Sequence, residues 1–263
     1  MALIVLTSAS GSPGVTSSAL GLALTWPRPV LLVEADPTGG SAILAGYLRG
    51  ETAPTDSLID LALAHRHGML LEAIAESTMT IPGSSVSLIP GTRAHGQARS
   101  LIPLWEPLAA AFKALESTGQ DVIVDAGRLG LAGSPESLIY AGDLTLLVVR
   151  SDLVSLSGAR SWAETLRAGF ERVGDSSSLG VLMVGEGAPY TSREVRKVLQ
   201  IPVTAELAWD PETAKVFAKG SRAARKFDSS QLVRSLKAAR TATQSALSVG
   251  REHLAMQAAG RPT

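Results

Sequence analysis

A loop of small hydroxyl-bearing and glycine residues, Ser8-Ala9-Ser10-Gly11-Ser12-Pro13-Gly14-Val15-Thr16-Ser17-Ser18, is the stretch of this chain best suited to chemistry. It follows the apolar run Ala2-Leu3-Ile4-Val5-Leu6 and precedes Ala19-Leu20-Gly21-Leu22-Ala23-Leu24. The first run reads as a buried strand and the second as a helix. Between a strand and a helix start, the backbone N–H groups of such a loop can converge on a phosphate, and the helix N-terminus adds partial positive charge. The pattern that goes with this geometry is G-x-x-x-x-G-K-[ST]. Gly11 supplies its first glycine. Thr16 stands at the second glycine, Ser17 at the lysine, and Ser18 at the Mg²⁺-binding hydroxyl. The cradle is recognisable, but its obligatory charge is missing. It is either a turn left over from a nucleotide-binding ancestor or a weak nucleotide site.

The elements that would hold this loop form an α/β pattern. Apolar runs at Val30–Val33, Val86–Ile89, Asp121–Val124, Leu144–Val149 and Gly180–Val184 read as strands, and Thr78–Ile81 as a small edge strand. Asp121–Val124 is continuously apolar after its aspartate, as in a sheet covered on both faces. Asp125 then falls at a strand's C-terminal end, where open α/β sheets bind ligands; it could equally cap the following loop. Tyr47 to Thr55, with Gly50 and Pro54, reads as a loop, and Asp56 or Ser57 as the cap of a helix through Leu63. His65 and His67 do not share a helix face, so they mark a polar helix end rather than a metal site. Leu101–Leu115 reads as a helix broken early by Pro103 and Pro107, with Trp105 and Phe112 inward. Leu156–Phe170 is amphipathic, with Trp162 and Phe170 facing the core. Asp210-Pro211-Glu212 is a helix start, and Ser229 is placed as the cap of a long final helix. Residues 1–250 read as one domain, with 251–263 as a tail whose end, Gly260-Arg261-Pro262-Thr263, frays.

Taken in order, these motifs resemble the deviant Walker A family of P-loop ATPases, which includes the ParA and MinD positioning proteins. Val33-Glu34-Ala35-Asp36-Pro37 is similar to the family's D-x-D-P segment, and Asp121-Val122-Ile123-Val124-Asp125 to its Walker B strand. Ser87–Gly91, Leu144–Arg150, Gly180–Gly185 and Ile201–Leu207 match later segments. The similarity spans nearly the whole chain. It implies a P-loop NTPase fold, with a mostly parallel central sheet and helices on both faces. It also implies ATP or ADP with Mg²⁺ on Gly11, Ser12, Pro13, Gly14, Val15, Thr16, Ser17 and Ser18. In that family Asp36 would position the attacking water, Ser18 would bind Mg²⁺, and Asp125 would hold its shell. The departures all touch nucleotide chemistry. Ser17 replaces the phosphate lysine, Ser12 the signature lysine that reaches across a homodimer, Glu34 the first aspartate, and Gly185 an adenine-reading asparagine. A charged hydrogen bond contributes ~1.5–3 kcal/mol, so each missing lysine would weaken phosphate binding about tenfold to a hundredfold. Catalysis, which leans on transition-state charge, would lose more. Arg128, Arg93 and Arg150, just beyond strands, are candidate replacement cations.

Composition narrows the function classes. The chain has 263 residues, 45% of them hydrophobic, enough for one α/β domain with a large core. It has no cysteine, which excludes disulfides, Cys-ligated metals and iron–sulfur clusters and fits a cytoplasmic setting. No apolar run approaches the ~20 residues of a membrane span, and no signal peptide is expected. Charge is uneven. From Glu212 onward there are ten basic and three acidic residues, a net of +7, against −7 for the part before it. A basic region containing Arg222, Arg225, Lys226, Arg234 and Lys237 suggests an acidic protein partner or non-specific DNA. The alanine-rich last helix lacks the bulky apolar face of a membrane-inserting one. Three readings follow. One is a ParA/MinD-like positioning or partitioning scaffold with weak or no hydrolysis. Another is a slow ATPase using Asp36 and a substitute arginine. The third is an accessory subunit of a secretion, pilus or conjugation machine.

Overall fold

Alternation of side chains along central strands decides the architecture. In β1 (Leu3–Ser8), Leu3 and Val5 point to one face and Ile4 and Leu6 to the other; all four are fully buried. β2 (Val30–Glu34) repeats the division, with Leu31 and Val33 against Val30 and Leu32. A strand buried on both faces must lie between two helical layers. The computed structural model describes residues 2–10, 12–53, 57–115 and 119–259, with side chains as far as residue 252. Gly11, Pro54, Thr55, Asp56 and the terminal residues 260–263 lie outside the described residues, and so do the readings placed on them.

The first face carries α2 (Leu58–Arg66), α3 (Leu70–Glu76), α4 (Ile102–Ala114), α5 (Glu136–Ala141), α6 (Leu153–Arg172) and α7 (Ser192–Leu199). Trp105, Phe112 and Phe170 are its largest fully buried side chains. Trp162 packs partly buried beside them, lying against Gly130. The second face carries α1 (Val15–Thr25), α8 (Pro211–Lys219) and α9 (Gln231–Ala259). Among the described residues the sheet has eight strands, in the order β3-β4-β2-β5-β1-β6-β7-β8. Here β3 is Met79–Thr80, β4 Val86–Ile89, β5 Asp121–Arg128, β6 Leu144–Arg150, β7 Leu179–Val184 and β8 Val203–Leu207. Every pairing is parallel except β3 with β4, the antiparallel edge. This is the expected mostly parallel α/β sheet.

Asp121 anchors the sheet's centre at the end away from the loop. Its buried carboxylate accepts hydrogen bonds from Ala2 N (2.8 Å), Trp26 Nε1 (2.8 Å) and Arg28 Nη2 (2.7 Å). One side chain therefore ties β5, the start of β1 and the end of α1 together.

Two local expectations are corrected. Pro107 does not break α4, which runs unbroken from Ile102 to Ala114. Pro103 occupies the first turn, where its missing N–H is not needed. The carbonyl that Pro107 leaves without a donor is that of Pro103, on the exposed side of the helix, where water can serve it. The final helix is capped by Ser230, not Ser229: Val233 N donates to Ser230 Oγ at 3.3 Å, whereas Ser229 Oγ donates to Lys226 O. The loop expected from Tyr47 holds for Leu48–Ala53, which are turn and irregular backbone; Tyr47 itself ends a π-helical turn, Ile43–Tyr47, whose Gly46 lies so close to the backbone of Ala218 in α8 that no Cβ would fit. The Ser57 cap holds: Ile59 N donates to Ser57 Oγ (3.3 Å) and Ser57 N to Asp60 Oδ2 (2.8 Å), a capping box.

Candidate functional site

The C-terminal ends of β1, β2 and β5 lie side by side, with Leu6 and Glu34 each in register with Asp125. The connections leaving these strands therefore gather at one point, beside the break in strand order where ligands enter open sheets. Backbone bonds fix them there. Leu129 N donates to Ser8 O (2.8 Å), Ala35 N to Asp125 O (2.8 Å), and Thr7 Oγ1 to Gly127 O (3.1 Å). Ser10 lies against Gly158 of α6, where a Cβ would collide with its hydroxyl.

The loop turns into α1 at Gly14, which has φ 97° and open space where a side chain would be. Only glycine takes this conformation without strain. α1 has no side-chain cap and no acidic residue in its first turn. Ser18 N is satisfied by Gly14 O at 2.8 Å. The preceding first-turn amides are therefore offered outward with the helix's positive end.

A cleft of about 540 Å³ lies over this turn, and Ser12, Thr16, Ser17, Asp36, Thr38 and Arg128 contribute to its walls. Pro13, Gly14 and Val15 line it too. Among the described residues its charged lining consists of Asp36 and Arg128. Asp36 is half-buried and accepts from Thr38 N at 2.8 Å; its carboxyl covers Gly127 so closely that a Cβ there would overlap it. Gly127, at φ 62°, is thus required twice over. A second, mainly apolar cleft of about 320 Å³ adjoins the first across Ser12, Gly14 and Ser17. Val184, Leu207 and Leu236 supply apolar walls, and Ser18 opens onto it. Lys215 and Lys219 of α8 stand at its sides, and Trp209 borders it.

The remaining carboxylates lie beneath the cleft. Asp125 is buried and accepts from Gly127 N at 3.0 Å and from the Thr16 hydroxyl. Burial pushes its pKa up to about 7, helped by the charges of Asp36 and Glu34 and opposed by the Thr16 and Gly127 hydrogen bonds. Glu34 points away from the cleft. It accepts from Ser41 Oγ, Ile43 N (3.0 Å) and Gly91 N (3.4 Å), and burial raises its pKa. One methylene longer than aspartate, it fastens the π-helical turn to the loop after β4.

The structure therefore brings Ser12, Pro13, Gly14, Val15, Thr16, Ser17 and Asp36 to one cleft, with Ser18 on the adjoining one. Asp125 lies below, bonded to Thr16 rather than lining either space. Of the three candidate arginines, Arg128 joins the site. Arg150 stacks on Trp209 at 3.8 Å, and neither it nor Arg93 lines the two clefts. Lys215, Lys219 and Trp209 were missed as site residues; the one available signal was the basic excess after Glu212. Arg222, Arg225, Lys226, Arg234 and Lys237 are all exposed, on the α8–α9 connection and the first turns of α9, away from the clefts.

No family model matches the sequence, and no curated protein matches it. Solved structures do. The chain is similar to the cell division ATPase MinD of Pyrococcus furiosus, with TM-score 0.71 and 19% identity over 93% of this chain and 99% of that one. It is similar to a ParA family ATPase from Chlorobium tepidum, with TM-score 0.69 and 16% identity over 92% and 99%. MinD complexed with Mg-ADP from Pyrococcus horikoshii gives 0.66 and 19% over 91% and 95%. The fold is that of the MinD/ParA P-loop ATPases.

Proposed function

We propose that this chain is a MinD/ParA-like positioning or partitioning protein with a degenerate nucleotide site, acting mainly as a binding scaffold with weak or no ATP hydrolysis. One observation carries the proposal. Ser12 and Ser17, which stand at both lysine positions, line the cleft over the first turn of α1, and no lysine lines it among the described residues. The phosphate geometry is kept: an uncapped helix start, a left-handed Gly14, and open space above it. Phosphoryl transfer is driven by positioning and by stabilising charge in the transition state, and that charge is the part removed.

The neighbour from P. horikoshii is described with Mg-ADP. Here the backbone of Gly14, Val15, Thr16 and Ser17 would hold the phosphates, and Ser18 would offer its hydroxyl to a magnesium ion. A resident metal does not suit the site. Asp125 is buried beneath Thr16 and bonded to it, and among the described residues no cluster of three His, Asp or Glu side chains could hold an ion. Magnesium would arrive with the nucleotide. A slow ATPase is the second reading, and the shared cleft of Asp36 and Arg128 favours it: Asp36 would orient the water and Arg128 supply charge.

The exposed basic side chains after α8 would dock an acidic protein or DNA, and the protein would pair as a homodimer. No helix among the described residues is long and apolar enough to cross a membrane. The test of the nucleotide site is isothermal titration of ATP and ADP with Mg²⁺ against wild type and Ser17→Lys. Weak binding by wild type, strengthened about tenfold to a hundredfold in Ser17→Lys, is expected. No binding by either protein would mean that the cradle itself is lost.

A further inference from the structure

We infer that the phosphate-binding charge absent from the loop is supplied from outside it, by Arg128 on one flank and Lys219 on the other. The inference rests on the nucleotide reading above and assigns side chains to it. The two clefts are neighbours, with Ser12, Pro13, Gly14, Ser17 and Ala218 in the walls of both. Arg128, at the end of β5, lines the compartment that contains Asp36. Lys219, the last residue of α8, lines the apolar compartment beside Ser17 and Ser18. Both side chains are exposed, and among the described residues neither is in an ion pair that would have to be broken. Lys215, one turn earlier, differs: Glu212 Oε1 holds its Nζ at 2.6 Å.

α8 is fixed over the loop by packing. Gly46 of the π-helical turn meets the backbone of Ala218, and Gly220, at φ 59°, ends the helix against the backbone of Gly46 and Tyr47. Arg49 Nε donates to Gly220 O at 2.6 Å, closing the same contact. The position of Lys219 is therefore set by three backbone approaches. A nucleoside diphosphate or triphosphate would lie across Ser12 and Ser17, with a cation at each side of its phosphates and its apolar end among Val184, Leu207 and Leu236.

The arrangement differs chemically from a lysine inside the loop. Two flanking cations can neutralise a bound polyphosphate in its ground state. Without a cation inside the loop they add less to the charge that develops in transfer, so binding survives better than turnover.

The experiment is titration of Mg-ATP and Mg-ADP into wild type, Arg128→Ala, Lys219→Ala, the double variant, and the conservative pair Arg128→Lys and Lys219→Arg. Thermal melting without ligand serves as the control for folding. Each alanine should weaken binding about tenfold to a hundredfold, with the conservative variants close to wild type and melting unchanged. The dependence of affinity on salt should become shallower in the double variant. If wild type binds and both alanine variants bind equally well, the inference is overturned while the nucleotide reading stands. If wild type binds nothing but Ser17→Lys does, the flanking cations are insufficient and the inference again fails on its own. If neither binds, the nucleotide reading fails and the inference with it.

Discussion

Asp125→Asn should make the protein more stable at pH 8 than at pH 5, relative to wild type. The carboxyl is buried, and its pKa is pushed up to about 7 from an ordinary 3.8. Below pH 3.8 the acid is protonated in both the folded and the unfolded chain, and it costs nothing. Between 3.8 and 7 the unfolded chain gives up the proton and the folded chain keeps it, so stability falls as pH rises. Above 7 both are ionised, and the folded state carries the full cost of a buried charge, roughly 4 kcal/mol at 1.36 kcal/mol per unit. At pH 5 less than half of that cost is present. The amide removes it at every pH. Its own penalty, an extra N–H₂ to satisfy in a buried place, is the same at both pH values and cancels in the comparison. The stability difference between variant and wild type should therefore shift by roughly 2–3 kcal/mol toward the variant from pH 5 to pH 8. Urea unfolding followed by tryptophan fluorescence measures it. A difference that stays flat with pH would refute the reasoning. Asp125 would then be an ordinary, fully ionised carboxylate, satisfied by Thr16 and Gly127 and ready to serve a magnesium shell.

Asp121→Ala should be among the most damaging single changes outside the site. It strands the Trp26 indole N–H and the Ala2 N–H and frees Arg28. Removing one partner of a buried charged cluster costs about 3–5 kcal/mol, which a urea midpoint would reveal; a loss under about 1 kcal/mol would contradict the anchoring role. Charge reversal at Arg222, Arg225 and Lys226 should abolish binding to DNA or an acidic partner and leave melting unchanged, because all three side chains are exposed. A DNA partner would show affinity falling steeply with salt in wild type, and a salt-insensitive complex would exclude it.

The parts of the fold legible in sequence were those set by local pattern. Continuous apolar runs marked the doubly covered strands, and Asp210 and Ser57 announced their helices because capping chemistry is local. Asp36 and the Ser12–Ser17 loop were assigned to one site through the family resemblance, and they meet there because strand ends in a parallel sheet converge by topology. What sequence could not show were meetings set by packing between distant segments. Lys219 enters the site only because Gly46 lets α8 lie close to the π-helical turn, a contact across more than 170 residues. Arg128 and Arg150 both end strands, yet one lines the cleft and the other stacks on Trp209. Pro107 misled for a different reason: a proline breaks a helix where its lost hydrogen bond is buried, and here the bond falls on the exposed face.

Thr16 and the missing lysines are best understood together. Three carboxylates, Glu34, Asp36 and Asp125, gather at the ends of β2 and β5, where lysines in the loop would otherwise offset their charge. Without those lysines each carboxylate is settled separately. Glu34 turns to Ser41 and two backbone amides. Asp36 faces the open cleft with Thr38 N and shares it with Arg128. Asp125 has no access to solvent and depends on the Thr16 hydroxyl and a raised pKa. Glycine at position 16 would offer no hydroxyl, so threonine is the residue that makes a lysine-free loop compatible with a buried aspartate. The same substitution places a side chain where a phosphate cradle ordinarily leaves bare backbone. The residue that satisfies Asp125 therefore also narrows the cradle, which would suit the scaffold with weak or no hydrolysis proposed above.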